Sequence, residues 1–355
     1  MPFWRFSMRE STTFSCVSIF AGIDYHKKFS LVTIGDESGA VITQQRLPND
    51  RIAIKEFFAD FPTAICAVES CRGYEWFVDY LKDLGHEVRL VNAYKAKLIA
   101  QSKCKTDKID SRALMQLLAK DFLPTCYQPS PAERRLRERL RWRAHLVRYA
   151  TRMKVRIHSL LDKENAGLSA PQLFSTEGKK FLRNIQLSDS RKALLMEHLD
   201  MLDYFEKLVT AEDAWVKQTV KGSESAQLLT TIPGVGNLTA LVILAELGDI
   251  TRFKTAKQVV SYAGLVPAVH SSADTRYLGP ITKEGSKMLR WMLIQAAWIA
   301  VRTSPQLRVS FMSVRNRNGK NPGVVSVARK LLKIAYRVLR DQKPFNAELV
   351  SKPSA

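Results

Sequence analysis

Val17-Ser-Ile-Phe-Ala-Gly-Ile-Asp-Tyr-His-Lys-Lys28 carries an apolar run, Val17 to Ile23, that stops on an aspartate and is followed at once by cations. Such a run reads as a buried strand with Asp24 at its end. Further apolar runs at Phe29 to Ile34, Ala40 to Thr43, Ala64 to Val68 and Val88 to Val91 read as strands, and helical spacing falls at Ile52 to Phe61 and Tyr74 to Leu84. Three closely spaced strands followed by alternating helix and strand predict an α/β unit: an antiparallel meander extended by parallel crossovers. Another helix is expected from Lys108 to Lys120.

Within that unit Glu69 ends the fourth strand in Ala67-Val-Glu-Ser70. Asp107 and Asp110, in Thr106-Asp-Lys-Ile-Asp-Ser-Arg112, are three apart at a helix start and share one face. Strand-end carboxylates of an α/β sheet converge on its carboxyl edge, where four acids repel unless cations hold them. Mg2+ suits such a site, because it takes oxygen ligands and keeps positions open for water and phosphate. Two such ions can activate an attacking oxygen and steady a departing one in phosphodiester cleavage. Singly, each acid also suits a structural role: Asp107 as a helix cap, Asp110 paired with a lysine, Asp24 closing its strand in a turn. Asp on strand one, Glu on strand four and an Asp pair on a later helix match the order of RNase H-like nucleases.

Pro124, Pro129 and Pro131 mark a break, after which a long basic helix is expected from about Ala132. Its arginines include Arg134, Arg135, Arg139 and Arg143, with Leu136, Leu140, Leu146 and Leu160 as an apolar stripe. A second long helix is expected over Ser190 to Val220, and the pair reads as an antiparallel arm, a coiled coil in form. The residues between, Asn165 to Ser188, resist assignment. In Ile232-Pro-Gly-Val-Gly-Asn-Leu-Thr-Ala240 two glycines allow either a phosphate-approaching hairpin between helices or a simple tight turn. Helices are expected at Leu238 to Leu247, Ala256 to Tyr262, Gly285 to Val301 and Val324 to Leu339, with a loop from Val266 to Ile281. The boundaries place domains at 1–125, 126–222 and 223–345.

The 355 residues exceed what one core usually organises, and 46% hydrophobic with 25% charged residues is ordinary globular usage. Lys and Arg number 55 against 34 acids, a formal charge of +21. Such an excess is self-repulsive and points to a polyanionic partner, nucleic acid first. Five cysteines, with no Cys-x-x-Cys pair and no histidine in zinc spacing, argue for a reducing cytoplasm and against structural zinc. Arg5 and Arg9 before Cys16 to Ile23 imitate a signal peptide, but Asp24 and His26 to Lys28 cut the run short. No later run reaches the ~18 residues of a membrane helix.

The Asp24, Glu69, Asp107, Asp110 series, the Thr106-Asp-Lys-Ile-Asp110 string, Tyr262-Ala-Gly-Leu-Val-Pro267 and His270-Ser-Ser272 together resemble the DEDD transposases of the insertion-sequence-one-ten family. That family includes the Piv-type DNA invertases, and the similarity runs from about residue 20 to 340. The resemblance implies a RuvC-like first domain, a helical linker and a C-terminal transposase domain that supplies a nucleophilic serine. It further implies a structured guide RNA, called a bridge RNA, that pairs with target and donor DNA, and dimers that join into a tetramer. Family members carry Ser-Gly after the Gly-Leu-x-Pro element, whereas here Ala273 follows Ser272. Ser272 holds the matching position and is assigned the nucleophile's role, with Ser271 second and Tyr277 a remote alternative. Arg276, Lys283 and Arg290 are candidates to neutralise phosphate charge beside it. A junction resolvase using only the acids, with water as nucleophile, and a nonenzymatic nucleic-acid binder are the competing functions.

Overall fold

The computed structural model describes residues 18–92, 95–96, 107–166, 172–272 and 275–347. The chain divides into two compact units, at Gln128 and Pro129.

In the first unit, β1 (Phe20–Tyr25), β2 (Phe29–Gly35), β3 (Val41–Pro48), β4 (Ile65–Glu69) and β5 (Glu87–Val91) form one sheet in the order β3-β2-β1-β4-β5. β1 to β3 are antiparallel neighbours, and β4 and β5 add in parallel. Helices α1 (Arg51–Ala59) and α2 (Glu75–Asp83) cover one face, where Ile54, Phe58, Phe77 and Leu81 pack with Ala21, Ile23, Cys66 and Val68. Helix α3 (Asp107–Ala119) covers the other, and Leu114 and Leu118 cluster with Ala67, Phe20 and Ile65. The mixed sheet of the expected α/β unit is therefore present, between two helical layers. β1 starts at Phe20 and runs past the expected end, so that Asp24 pairs with Leu31 inside the ladder rather than closing the strand in a turn. β3 extends through Gln44, Gln45 and Arg46, polar residues of an edge strand that leave no apolar run in the sequence.

In the second unit, α4 (Pro131–Asp162) starts at a capping box between Ser130 and Glu133, with Pro131 in the first turn. Helix α6 (Asp189–Lys221) packs along it, and the pairs Arg139–Glu212, Arg143–Asp213 and Lys154–Glu206 show the two to be antiparallel. Within the segment that resisted assignment lies α5 (Thr176–Asn184), capped by Ser175; its Leu182 joins Ile157, Leu195 and Leu199 in a small core at the far end of the arm. At the near end, Leu140, Val216 and Val220 belong to the large core of the helices that follow. These are α7 (Glu224–Thr230), α8 (Asn237–Leu247), α9 (Ala256–Tyr262), α10 (Lys287–Thr303), α11 (Pro305–Asn318) and α12 (Lys320–Asp341). The loop expected from Val266 to Ile281 is instead a hairpin of β6 (Pro267–Ser272) and β7 (Thr275–Ile281). Its strands are short and rich in small or polar residues, so local patterning alone does not announce them. No described helix is long and apolar enough to cross a membrane.

Candidate active site

β1 and β4 pair in parallel with Ile23 opposite Val68, so Asp24 and Glu69 follow side by side on strands about 4.8 Å apart. Both share the sheet face of Gly22 and Ala67, because side chains alternate along a strand. That is the face of α3. A methyl on Gly22 would lie 2.1 Å from the Ser111 carbonyl oxygen and 2.3 Å from the Met115 nitrogen, so the helix rests directly on the bare glycine. The buried Thr33 and Ser111 hydroxyls hydrogen-bond at 2.8 Å beside it. Leu114 and Leu118 reach Phe20 and Ile65 at the amino ends of the strands, so α3 runs antiparallel to β1 and β4. Its first turn, with Asp107 and Asp110, therefore belongs to the carboxyl edge where Asp24 and Glu69 stand.

Asp24 is 9% exposed, and His26 Nε2 lies 3.2 Å from its Oδ2. Asp110 is half-buried; the Asp107 side chain lies outside the described residues. The thiol of Cys71 is raised above its ordinary pKa by burial, then by the charge of Glu69, with a smaller push from Asp24, so both acids act on one point. Among the described residues no group of three or more His, Cys, Asp or Glu side chains is gathered closely enough to hold a metal ion. The donors that share the edge are carboxylate oxygens, which by their chemistry fit a hard divalent cation.

Ser272 ends β6 opposite Thr275, at the closed end of the hairpin, and Ser271 pairs with Arg276. The side chains of His270, Ser271, Ser272 and Arg276, and the whole of Ala273, lie outside the described residues. Tyr277 is 68% exposed. Lys283 is exposed, with a left-handed φ of 57°. Arg290 is otherwise engaged: its Nη1 donates to the carbonyls of Ala263, Glu284 and Gly285 at 3.2, 2.6 and 3.0 Å. It locks a clasp in which Gly264 (φ 65°) lies against the Glu284 backbone and Gly285 (φ 73°) against the Tyr262 carbonyl. Sequence reasoning missed this clasp, although Gly264 stands inside the Tyr262 to Pro267 motif.

On α4, Arg134 donates to the Pro129 carbonyl, while Arg139 and Arg143 pair with Glu212 and Asp213 of α6 at 3.0 and 2.6 Å. Arg137 and Arg141 bind the buried Glu246 of α8, and Arg137 also takes the carbonyls of Ala245 and Glu246. Arg135, Arg152 and Arg156 remain at the surface. Gly234 (φ 84°) packs against the Ala296 carbonyl, where a methyl would come within 2.3 Å, so its freedom serves the contact of the turn with α10.

Residues 21–165 match the model of the IS110-type DEDD transposase domain, and residues 226–311 match that of the transposase IS116/IS110/IS902 family. The chain belongs to the IS110 family of DEDD transposases. As a member of the IS110 family it is a DNA transposase, an enzyme of recombination. It is similar to a probable family 20 transposase of Pseudomonas aeruginosa, 26% identical over 90% of this chain and 96% of the relative. The transposase for insertion sequence element IS1328 of Yersinia enterocolitica is 26% identical over 89% of this chain and 95% of the relative. The chain is also similar to the pilin gene-inverting protein of Moraxella bovis, 28% identical over 74% of this chain and 76% of the relative.

Proposed function

We propose that this transposase is a site-specific recombinase that cuts and rejoins DNA to mobilise an insertion sequence, using a RuvC-like acidic site and the hydroxyl of Ser272. The observation that carries it is the common edge: near their carboxyl ends β1 and β4 carry adjacent acids on the face over which α3 brings its own acidic first turn. The sheet β3-β2-β1-β4-β5, an antiparallel meander extended by parallel strands, supports the RNase H-like reading.

In this reading Asp24, Glu69, Asp107 and Asp110 would hold Mg2+, which when bound supplies charge neutralisation and an activated oxygen at the phosphate. His26 would orient Asp24 through the 3.2 Å contact. Ser272 Oγ attacks the phosphorus, forming a phosphoserine ester, and the departing sugar oxygen takes up a proton; reversal by a second strand's hydroxyl rejoins the DNA. Lys283 and Arg276 are candidates to meet phosphate charge. The three carbonyls on Arg290 argue that it braces the hairpin instead. Guidance by a bridge RNA and assembly of dimers into a tetramer belong to the same proposal, and the exposed Arg135, Arg152 and Arg156 are available to RNA. The name of the Moraxella relative favours a second reading of the same chemistry, DNA inversion.

The test is strand exchange by the purified protein with its copurifying RNA and Mg2+. Asp24→Asn and Ser272→Ala should each lower recombination by at least ~10³-fold while binding persists. A Ser272→Ala protein that still cuts would remove the serine step and leave a junction resolvase using water.

A further inference from the structure

Between Gly285 and Arg340 the chain carries twelve Lys and Arg residues and not one Asp or Glu. This stretch forms α10, α11 and α12, so none of the three contains an acid ahead of Asp341 to balance it. α12 gathers the charge along one line. From Gly323 to Leu339 it is buried except at Val325, Ser326, Arg329, Lys330, Lys333 and Arg337. Arg329, Lys333 and Arg337 succeed one another at four-residue steps and therefore form a straight row, roughly 12 Å long. Lys330 flanks the row, its ammonium donating to Ser310 Oγ of α11 at 2.6 Å. α9 packs against α12 and brings the exposed Lys257 to the same group. Lys333 registers the crowding: its pKa is lowered by burial, then by Arg329, Lys257, Arg337 and Lys330 in turn.

A helix that buries most of its surface and opens a stripe whose charges are all positive keeps like charges together at an energetic cost, which a polyanion offsets. We propose that Arg329, Lys330, Lys333 and Arg337 of α12, with Lys257 of α9, form a track for the phosphate backbone of duplex DNA. The choice of DNA rests on the transposase reading; the choice of a duplex rests on the stripe itself. No aromatic ring stands on it to stack against the bases of a single strand. Contacts to phosphate there carry no sequence information and position the DNA.

The full-length protein is titrated with a labelled mixed-sequence duplex in EDTA, over a range of salt. The variant R329Q/K330Q/K333Q/R337Q should bind at least about tenfold more weakly at physiological salt and lose roughly 3 to 4 from the slope of log affinity against log salt. K257Q/R337Q, which alters fewer packed residues, should lose about 2 from that slope and serves if the fourfold variant does not fold. A folded variant with unchanged affinity and slope overturns the proposal, as does weakened binding of duplex RNA with duplex DNA untouched. Because no metal is present and nothing is cut, failure of the acid or serine variants in strand exchange leaves this result unaffected.

Discussion

Gly22 governs how close α3 comes to the sheet. Its missing side chain lets the Ser111 carbonyl and the Met115 amide sit where a methyl would be, and the Thr33 to Ser111 hydrogen bond tightens the same contact. Gly22→Ala must push the helix away from β1, an overpacking that costs about 1–3 kcal/mol. The same shift moves the acidic first turn off the carboxyl edge, so strand cleavage should fall more steeply than stability, as urea unfolding and a cleavage assay on one preparation would show. A variant that loses stability but cleaves normally would mean that α3 does not set the acids. Asp24 and Glu69 were legible beforehand because each closes an apolar run, a local signal. The need for glycine at position 22 was not, since the atoms that exclude a side chain lie about ninety residues further along the chain.

At the scale of elements, the β6–β7 hairpin is held by the clasp at its base. Gly264 and Gly285 let two backbones touch, and Arg290 ties the end of α9 to the loop entering α10 through three carbonyls. Arg290→Met should destabilise the second unit by about 2 kcal/mol, since it removes hydrogen bonds from a charged donor and leaves the carbonyl of the buried Ala263 without this one. A melting temperature equal to that of the parent protein would assign the clasp to the glycines alone. The long helices α4 and α6 were legible from their apolar periodicity and the proline break. What periodicity concealed is the use of the arginines: Arg139 and Arg143 meet Glu212 and Asp213 only because α6 folds back along α4. A row of cations in a sequence has no means of showing which of them a distant helix will neutralise.

For the whole molecule, the division at Gln128 and Pro129 separates chains with cores of their own. A fragment from Pro129 to Ala347 should give a strongly helical circular dichroism spectrum and a cooperative melt, because the arm shares Leu140, Val216 and Val220 with the C-terminal core. A gradual, noncooperative melt would show that the first unit is needed to complete that core. Sequence by itself determined the class of each half, the order of the acids along the first unit and the excess of positive charge, since these depend on residue type and short-range spacing. Tertiary structure alone decided which face of the sheet the acids share, which arginines are paired with acids and where the surplus cations align. Those outcomes depend on contacts between residues far apart in the chain, and close packing, rather than local preference, selects them.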